Sequence, residues 1–186
     1  MANSFDFQVR PLRRVEYDKL VELGVFDGER IELLDGQLVQ MTPPGPPHAS
    51  TVDKLMLLFV RGLGDRARIR VQSPFAALET SEPQPDLAIV PLADYETEHP
   101  GRAELVIEVS DSSLRYDRGP KLRVYAEAAV PEYWIVDVQG RNIEVHRQPG
   151  SGRYWQVQQY GEAAMLCPER YPDFELYVAD VLPAVK

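Results

Sequence analysis

Two acidic side chains accompany two apolar, strand-like runs of this sequence. Asp86 follows Pro85 at the head of the run DLAIV, and Glu108 lies inside the run ELVIEV. An ionised carboxylate in an apolar interior is costly unless it is paired or bound to a cation. Each residue has a simpler interpretation by itself: Glu108 as half of an arginine salt bridge or at the wet end of its strand, and Asp86 as part of a common Pro-Asp junction. Their occurrence together favours a functional site.

Lys121 is the third candidate for this site. The sequence predicts a helix over residues 119 to 129, on which Lys121 and Tyr125 are four residues apart and share a face near the helix start. Only four of the twenty basic residues are lysines, so a lysine here is less expected by chance. We expect Asp86, Glu108 and Lys121 to converge at one end of a sheet.

These three side chains suit phosphodiester hydrolysis assisted by a hard cation. Mg²⁺ (or Mn²⁺) takes oxygen ligands and keeps several waters, so Asp86 and Glu108, with the backbone carbonyl of Val109, would form part of its coordination shell. The open positions would accept water and phosphate oxygens, where the metal lowers the pKa of its water and neutralises charge. Lys121 would orient or deprotonate the attacking water, or balance charge in the transition state.

The elements that must position these residues are short buried strands. The runs DLAIV, ELVIEV and EYWIVDV are bounded and rich in β-branched residues, which is typical of strands buried on both faces. RNIEVHRQ and GRYWQVQQY predict antiparallel strands, and RIRVQSPFAALE predicts two strand runs interrupted at Ser73-Pro74. Asp35-Gly36 predicts a tight hairpin turn, with Glu32 on the first strand of the hairpin.

Helices and loops are predicted around these strands. Residues 13 to 23 place apolar side chains at roughly helical spacing, and residues 49 to 63 carry an apolar stripe of period near 3.6. The segment TPPGPPHAS, with four prolines in nine residues, predicts a stiff loop without regular structure. SDSSLRYDRG predicts a polar loop, and the tail FELYVADVLPAV is expected to pack back as a short element. The pattern predicts an α/β fold.

The composition limits the kinds of protein that this sequence can encode. With 186 residues and 44% hydrophobic content, residues 1–186 are expected to form one globular domain. No apolar run approaches the roughly 20 residues of a membrane span, and residues 1–10 lack the layout of a signal peptide, so we expect a cytoplasmic protein with no membrane partner. Cys167 is the single cysteine, which excludes an intrachain disulfide and a cysteine zinc cluster.

The charge balance argues against a general nucleic-acid binder. The net charge is −9, and a global negative field repels phosphate. Local basic faces are still available, because four arginines lie within residues 61–70 and four basic residues within residues 115–123. Two interpretations stay open for these groups, a phosphate-binding face and ordinary solvated surface.

Several segments resemble a known family: IELLDGQLVQM, PDLAIV, LVIEVSDSS with DRGPKL, and VPEYWIVD. They are similar to a bacterial restriction-endonuclease family, once a domain of unknown function and abundant in cyanobacteria, of the PD-(D/E)XK nuclease superfamily. The similarity extends from about Val15 to Val181. It implies a restriction-endonuclease-like core, with a mixed central sheet flanked by helices, additional antiparallel strands and a divalent metal at one sheet end. It also implies DNA as the substrate, and the nuclease class implies a homodimer.

The resemblance implies a role for each matching residue. Asp86 matches the aspartate of the PD motif and Glu108 its second acid, both metal ligands. Glu32 matches the acidic residue of the family's ELLDG segment, which implies an added metal or water contact. Ser110 is a departure, because the superfamily expects a lysine two residues after the second acid. Lysines that migrate onto the next helix occur in such families, and Lys121 is the candidate here.

Two functions from different classes follow. The first is a metal-dependent DNA endonuclease that hydrolyses phosphodiester bonds through two carboxylates and a lysine. The second is a nuclease-fold protein without cleavage activity, serving as a binding or assembly module. Other chemistries lack support: no nucleophile elbow surrounds Ser110 or Ser113, and no Walker loop or dinucleotide fingerprint is present.

Three histidines and two residues near the predicted cleft have simpler interpretations. His48 enters a helix, where a surface position is expected and a phosphate contact is the alternative. His99 and His146 are expected at the surface. Gln72 and Tyr125 are expected to pack in the core or at the rim of the cleft, and a position lining the cleft is the alternative.

Overall fold

The chain is built from short strands and helices, of which one helix is much longer than the rest. The computed structural model describes residues 9–184, so most of the segment tested for a signal peptide lies outside it. The described strands are β1 (Ile31–Leu34), β2 (Gln37–Gln40), β3 (Arg68–Val71), β4 (Leu87–Val90), β5 (Leu105–Ser110), β6 (Glu132–Asp137), β7 (Asn142–Gly150), β8 (Arg153–Gly161), β9 (Met165–Leu166) and β10 (Leu176–Tyr177). The described helices are α1 (Arg14–Glu22), α2 (Pro46–Leu63), the short α3 (Leu114–Tyr116), α4 (Leu122–Glu127) and α5 (Val178–Val181), with a 3₁₀ turn at Gly64–Arg66 and a π-helical turn at Asp117–Lys121.

The central sheet has six strands in the order β3-β4-β5-β6-β7-β8. β5 and β6 run parallel, and the other neighbouring pairs are antiparallel. Helices cover both faces of the sheet, and two separate antiparallel strand pairs, β1-β2 and β9-β10, lie beside it. The predicted mixed sheet with flanking helices and additional antiparallel strands is therefore confirmed.

Side chains alternate along β5, so successive residues point to opposite faces of the sheet. Ile107 and Val109 belong to the apolar cluster that contains α2, whereas Val106 packs with Tyr125 of α4. Glu108 alternates with its neighbours and so points to the α4 face. This register brings the carboxylate toward the helix that carries the candidate lysine.

The β1-β2 hairpin turns as the sequence predicts. Asp35 and Gly36 take φ values of 51° and 74°, the left-handed conformations that a tight two-residue turn requires. The backbone of Leu33 also pairs with that of Glu82. This pairing places β1 beside the segment that leads to β4.

The prediction that TPPGPPHAS lacks regular structure is wrong for its second half. Pro46 and Pro47 form the start of α2, where the first N–H groups have no partner within the helix and proline costs little. Neither α2 nor any other helix of residues 9–184 combines the length and the apolar character needed to cross a membrane.

The polar loop predicted after β5 is largely helical. Leu122 N–H donates to the carbonyl of Asp117, the wide spacing of a π-helical turn, and Pro120 within that turn has no N–H to offer. The turn buries both Asp117 and Lys121. The following helix ends at Glu127, short of the predicted end, and Ala129 takes the left-handed conformation (φ 54°) that glycine adopts more readily.

The second strand predicted within RIRVQSPFAALE is absent from the described structure. Arg68–Val71 joins the central sheet, but beyond Pro74 the chain makes an isolated bridge between Leu78 and Ser81 instead of a strand. Proline at the break removes a ladder donor, which is consistent with the end of pairing there.

The carboxyl-terminal segment packs back onto α2, as predicted. A Cβ built on Gly62 would lie 2.2 Å from the ring of Phe174, so only glycine allows this close approach. Glu132 accepts a hydrogen bond from the Glu169 N–H at 2.7 Å, which ties the segment to β6. Its apolar residues share one cluster with the buried face of α2: Leu166, Tyr171, Phe174, Leu176, Val178, Val181 and Leu182 with Val52, Leu55, Phe59 and Leu63.

Candidate functional site

Asp86 lies immediately before β4, and both of its carboxylate oxygens are engaged. Oδ2 accepts a hydrogen bond from the Val109 N–H at 2.9 Å and lies 3.0 Å from His48 Nε2, while Oδ1 accepts one from Gln72 Nε2 at 3.1 Å. Burial alone would raise the pKa of Asp86, but its interactions with His48 and Val109 outweigh burial and lower that pKa. Contacts at both oxygens thus hold the Asp86 carboxylate in one orientation.

Glu108 lies beside Asp86 on the neighbouring strand. The Asp86 N–H is 3.4 Å from Glu108 Oε2, and Glu108 Oε1 accepts hydrogen bonds from Lys121 Nζ at 2.9 Å and from the Tyr125 hydroxyl at 2.6 Å. Burial raises the pKa of Glu108 to about 8; the ammonium of Lys121 opposes this shift, and the carboxylates of Asp86 and Asp117 add to it. Burial is thus the main reason that Glu108 holds its proton more tightly than an exposed glutamate does.

Lys121 joins Glu108 to Glu32. Its Nζ lies 2.9 Å from Glu108 Oε1 and 3.6 Å from Glu32 Oε2. Burial by itself would lower the pKa of Lys121, but the carboxylates of Glu108, Glu32 and Asp117 outweigh burial and raise it above the usual lysine value. Lys121 is consequently a cation at neutral pH, which favours charge balance over proton abstraction.

Glu32 is wholly buried and does not line the cavity above the site. Its Oε2 accepts a hydrogen bond from the Gln84 N–H at 2.9 Å, and its Oε1 accepts one from the Tyr116 hydroxyl at 3.1 Å. These contacts, with the 3.6 Å approach of Lys121, place Glu32 behind the lysine. A direct contact of Glu32 with metal or water stays a prediction, as does the metal contact of the Val109 carbonyl.

Asp117 is a buried acid that the sequence analysis did not single out. Its Oδ2 accepts hydrogen bonds from Ser110 Oγ at 2.6 Å and from Ser113 Oγ at 2.5 Å. Burial raises the pKa of Asp117, with Lys121 and the two serine hydroxyls opposing the shift. The position of Asp117, four residues before the candidate lysine, was the available signal.

The expectations for the histidines need correction at two positions. His48 contacts Asp86 and keeps only 15% of its side chain exposed, so it belongs to the site rather than the surface. His146 is buried against Tyr133 and Tyr154, while His99 is exposed as expected. No local sequence pattern marks His48, because the contact depends on how α2 docks on the sheet.

A cavity of about 390 Å³ opens above Asp86, Glu108 and Lys121. One wall is the loop between β2 and α2, residues 41–45, with His48 behind it. Residues 111–113 and Tyr116 also line the cavity. The predicted carboxylates and lysine therefore line one cavity.

The donor set at this floor fits a hard divalent cation. Glu32, Asp86, Glu108 and Asp117 face the single ammonium of Lys121, so a further positive charge would relieve the excess of carboxylates. In the part of the chain that the structure describes, His, Cys, Asp and Glu form no group of three or more arranged to hold a metal. Mg²⁺ is usually held by one or two carboxylates together with water and substrate phosphate, which matches a two-carboxylate floor better than a closed zinc cage.

The α/β fold has a counterpart among solved structures. A crystal structure titled as that of "a putative nuclease belonging to DUF820" from Anabaena variabilis ATCC 29413 is similar, with a TM-score of 0.68 and 14% identity, over 92% of this chain and 97% of that chain. At this identity the likeness shows a shared fold.

The chain belongs to the Uma2 family, described as "Putative restriction endonuclease", which matches residues 15–179. The family predicted from the sequence segments is therefore confirmed. A search of curated proteins gave no match.

Proposed function

We propose that this protein is a metal-dependent DNA endonuclease. Family and fold support a nuclease. The observation that carries the finer proposal is the convergence of Asp86, Glu108 and Lys121, from two strands and a helix-bearing segment, on the floor of one cavity. In the proposed reaction water adds across a P–O bond of the backbone and leaves a phosphate monoester and a free hydroxyl.

Asp86 and Glu108 are the proposed ligands of Mg²⁺ or Mn²⁺, with the Val109 carbonyl as a third. Such a cation, when bound, lowers the pKa of a coordinated water and neutralises charge on the scissile phosphate. His48 and Gln72 fix the direction of the Asp86 carboxylate, since each contacts one of its oxygens. This support reduces the reorganisation needed when substrate enters.

Lys121 supplies a permanent positive charge at the floor of the cavity. Glu108, Glu32 and Asp117 keep its amine protonated, so the proposed role is to offset the negative charge that develops on phosphate oxygens. Glu32 is proposed to act through Lys121, because its contacts are with that lysine and with Tyr116.

A homodimer is part of this proposal, because two symmetry-related sites would reach both strands of DNA. The alternative is a nuclease-fold binding module without cleavage activity. The hydrogen bonds that already occupy both oxygens of Asp86 favour that alternative, as does the net charge of −9.

Cleavage of DNA by pure protein decides between the two functions. Supercoiled plasmid and single-stranded circular DNA are incubated with Mg²⁺ or Mn²⁺ and with wild type, Asp86→Asn or Glu175→Gln. Glu175 is exposed and remote from the cavity, so it serves as the matched control. The nuclease proposal expects cutting by wild type and Glu175→Gln but not by Asp86→Asn. Equal cutting by Asp86→Asn would indicate contamination, and no cutting at all would favour the binding module.

A further inference from the structure

The central sheet ends on one side in a long strand whose outer edge has no neighbour. β8 is the last strand in the order of the six-stranded sheet. Within residues 9–184, no backbone hydrogen bond joins residues 153–160 to anything other than β7. Residues 155–159 are all exposed. Such an edge presents unpaired N–H and C=O groups to which another strand can bind.

The two edges of the sheet differ in their protection against such pairing. β3, at the opposite edge, has four residues, of which Arg68 and Arg70 are charged. β8 has nine residues, and Arg153 at its first position is its only charged side chain. Trp155 is 60% exposed and Val157 is 56% exposed. Short length and charge protect an edge strand, and β8 has neither, so we expect a partner strand to cover it.

The pairing of β8 with β7 fixes which backbone groups of β8 face outward. Pro149 lies opposite Tyr154 and has no N–H, so these two residues cannot exchange the two hydrogen bonds of a bonded pair. Bonded and non-bonded pairs alternate along an antiparallel ladder. Residues 154, 156, 158 and 160 therefore direct their N–H and C=O groups away from β7.

The sequence of β8 reads nearly the same in both directions around Val157. Glutamines precede and follow this valine, and tyrosines stand three residues away on each side. An antiparallel second copy centred on Val157 would place Gln156 opposite its Gln158 and Tyr154 opposite its Tyr160. These are the residues whose backbone groups face outward, so each pair can exchange hydrogen bonds. Val157 would meet Val157 of the second copy at the two-fold axis, in a close non-bonded pair.

The charges at the two ends of β8 also suit a second copy. Arg153 begins the strand, and Glu162, with 44% of its side chain exposed, follows the end of the strand. In the register centred on Val157, Arg153 lies opposite Gly161 of the second copy and next to Glu162 of the second copy. The two-fold axis repeats this approach of opposite charges at the other end, and no like charges face each other along the strand.

We propose that the outer edge of β8 is a dimer interface, at which a second copy of this chain adds its own β8 in antiparallel orientation. The two central sheets then form one continuous sheet. Any strand could satisfy the backbone of this edge, but the near-palindrome and the opposite charges at its ends are matched by the chain itself. The proposal gives a surface to the homodimer inferred above and holds whether or not the site cleaves DNA.

The oligomeric state in solution tests this interface. Sedimentation equilibrium at several protein concentrations gives the dimer dissociation constant of wild type, Val157→Lys and Val25→Lys. Val25 is 53% exposed on a turn outside the sheet, so it is the matched control. We expect wild type and Val25→Lys to dimerise equally, and Val157→Lys to dimerise at least about tenfold more weakly, because two ammonium groups then face each other.

Two results of this experiment would overturn the proposal. A wild type that is monomeric at every concentration would exclude a second copy as the occupant of the edge and leave the edge to a strand of another protein. A dimer with the same dissociation constant in Val157→Lys would show that the chains associate through another surface.

A charge pair across the two-fold axis tests the register. Val157→Lys and Val157→Glu should each associate weakly alone and form a heterodimer when mixed, because opposite charges then meet at the axis. Thermal unfolding of each variant checks that it is folded. A mixture of folded variants that stays monomeric would overturn the pairing centred on Val157. Neither measurement involves DNA, so its failure leaves the nuclease proposal to the plasmid assay.

Discussion

Lys121 Nζ lies 2.9 Å from Glu108 Oε1 although the two residues are 13 apart in the chain. The ammonium comes from the turn after the strand, and Ser110, at the position two residues beyond the acid, instead binds Asp117 through its hydroxyl. An ammonium thus lies beside the carboxylate although the position two residues after the acid is a serine. The predictions below begin with this pair.

Removing the ammonium should destabilise the fold more than removing the pair. At pH 9, above the Glu108 pKa of about 8, Lys121→Met leaves the Glu108 carboxylate buried without its cation and is expected to lower the free energy of unfolding by about 3–5 kcal/mol. Adding Glu108→Gln to that variant should recover much of the loss, because the uncompensated charge disappears. Urea unfolding of the two single variants and the double variant measures this coupling. Additive effects would show that the two side chains do not interact energetically.

Glu32 and Glu108 should differ in their effects on catalysis. Glu108→Gln removes a proposed metal ligand, and we expect kcat to fall at least about 100-fold. Glu32→Gln removes only the support behind Lys121, and we expect a fall of about tenfold with little change in KM. Steady-state cleavage of a labelled single strand gives both numbers, with Glu175→Gln as control. A greater loss in Glu32→Gln than in Glu108→Gln would contradict this order.

Divalent metal should stabilise the folded protein through Asp86 and Glu108. Ligand at about 100 times its Kd adds about 2.7 kcal/mol to the free energy of unfolding, so Mn²⁺ should raise the Tm of wild type. Asp86→Asn and Glu108→Gln should lose this increase, because each lacks one proposed ligand. Thermal unfolding with Mn²⁺ and with chelator makes the comparison without any nuclease assay. An identical increase in Tm in all three proteins would show that the metal ion binds at another site.

Arg30 lines the cavity and should contribute to binding of the substrate backbone. Arg30→Gln is expected to weaken binding of a single-stranded oligonucleotide and to reduce the slope of log affinity against log salt by about 0.7. Fluorescence anisotropy at several salt concentrations measures both effects. Arg153→Gln, at an exposed arginine of β8 that stacks on Trp155, is the matched control and should leave the slope unchanged.

Glu82 should make stability depend on pH independently of the site. It is 2% exposed, and its only described cation, Arg14, lies 3.9 Å away. Burial, reinforced by Asp18 and partly opposed by Arg14, raises the pKa of Glu82 from 4.5 to about 7. The folded state therefore holds this proton more tightly than the unfolded chain does, so the stabilisation is complete below the unfolded pKa of 4.5 and is lost as pH rises through 7.

Glu82→Gln is neutral at every pH and isolates this effect. We expect its Tm to exceed that of wild type above pH 7 and the two values to approach each other near pH 4.5. Thermal unfolding across this range checks the sign. A difference in Tm that grows toward acid pH would show that the charged form is the one that the fold prefers.

Strong local sequence patterns predicted much of the fold. Bounded β-branched runs predicted β4, β5 and β6, and Asp35-Gly36 predicted the hairpin turn. The unusual acid in β5 and the scarcity of lysine together predicted the meeting of Glu108 and Lys121. These features depend on side-chain alternation and on turn conformation, which the sequence displays directly.

The features that sequence could not predict depend on tertiary packing. Pro46 argues against a helix until its place in the first turn is known, and the burial of Asp117 and Lys121 in a π-helical turn has no local sequence signal. His48 and Gln72 reach Asp86 from an element and a loop that have no sequence relation to it. Such contacts become visible only when the elements are docked.

The close approach of Phe174 to Gly62 has a consequence for how the protein is made. The face of α2 is covered by residues 166–182, whereas the cluster around α4 is drawn from residues 75–154. On the ribosome the α4 side can assemble as soon as its strands emerge, but α2 must wait for nearly the whole chain before its apolar face is sheltered. During that interval the nascent protein exposes the apolar face of α2, a surface that a chaperone would bind.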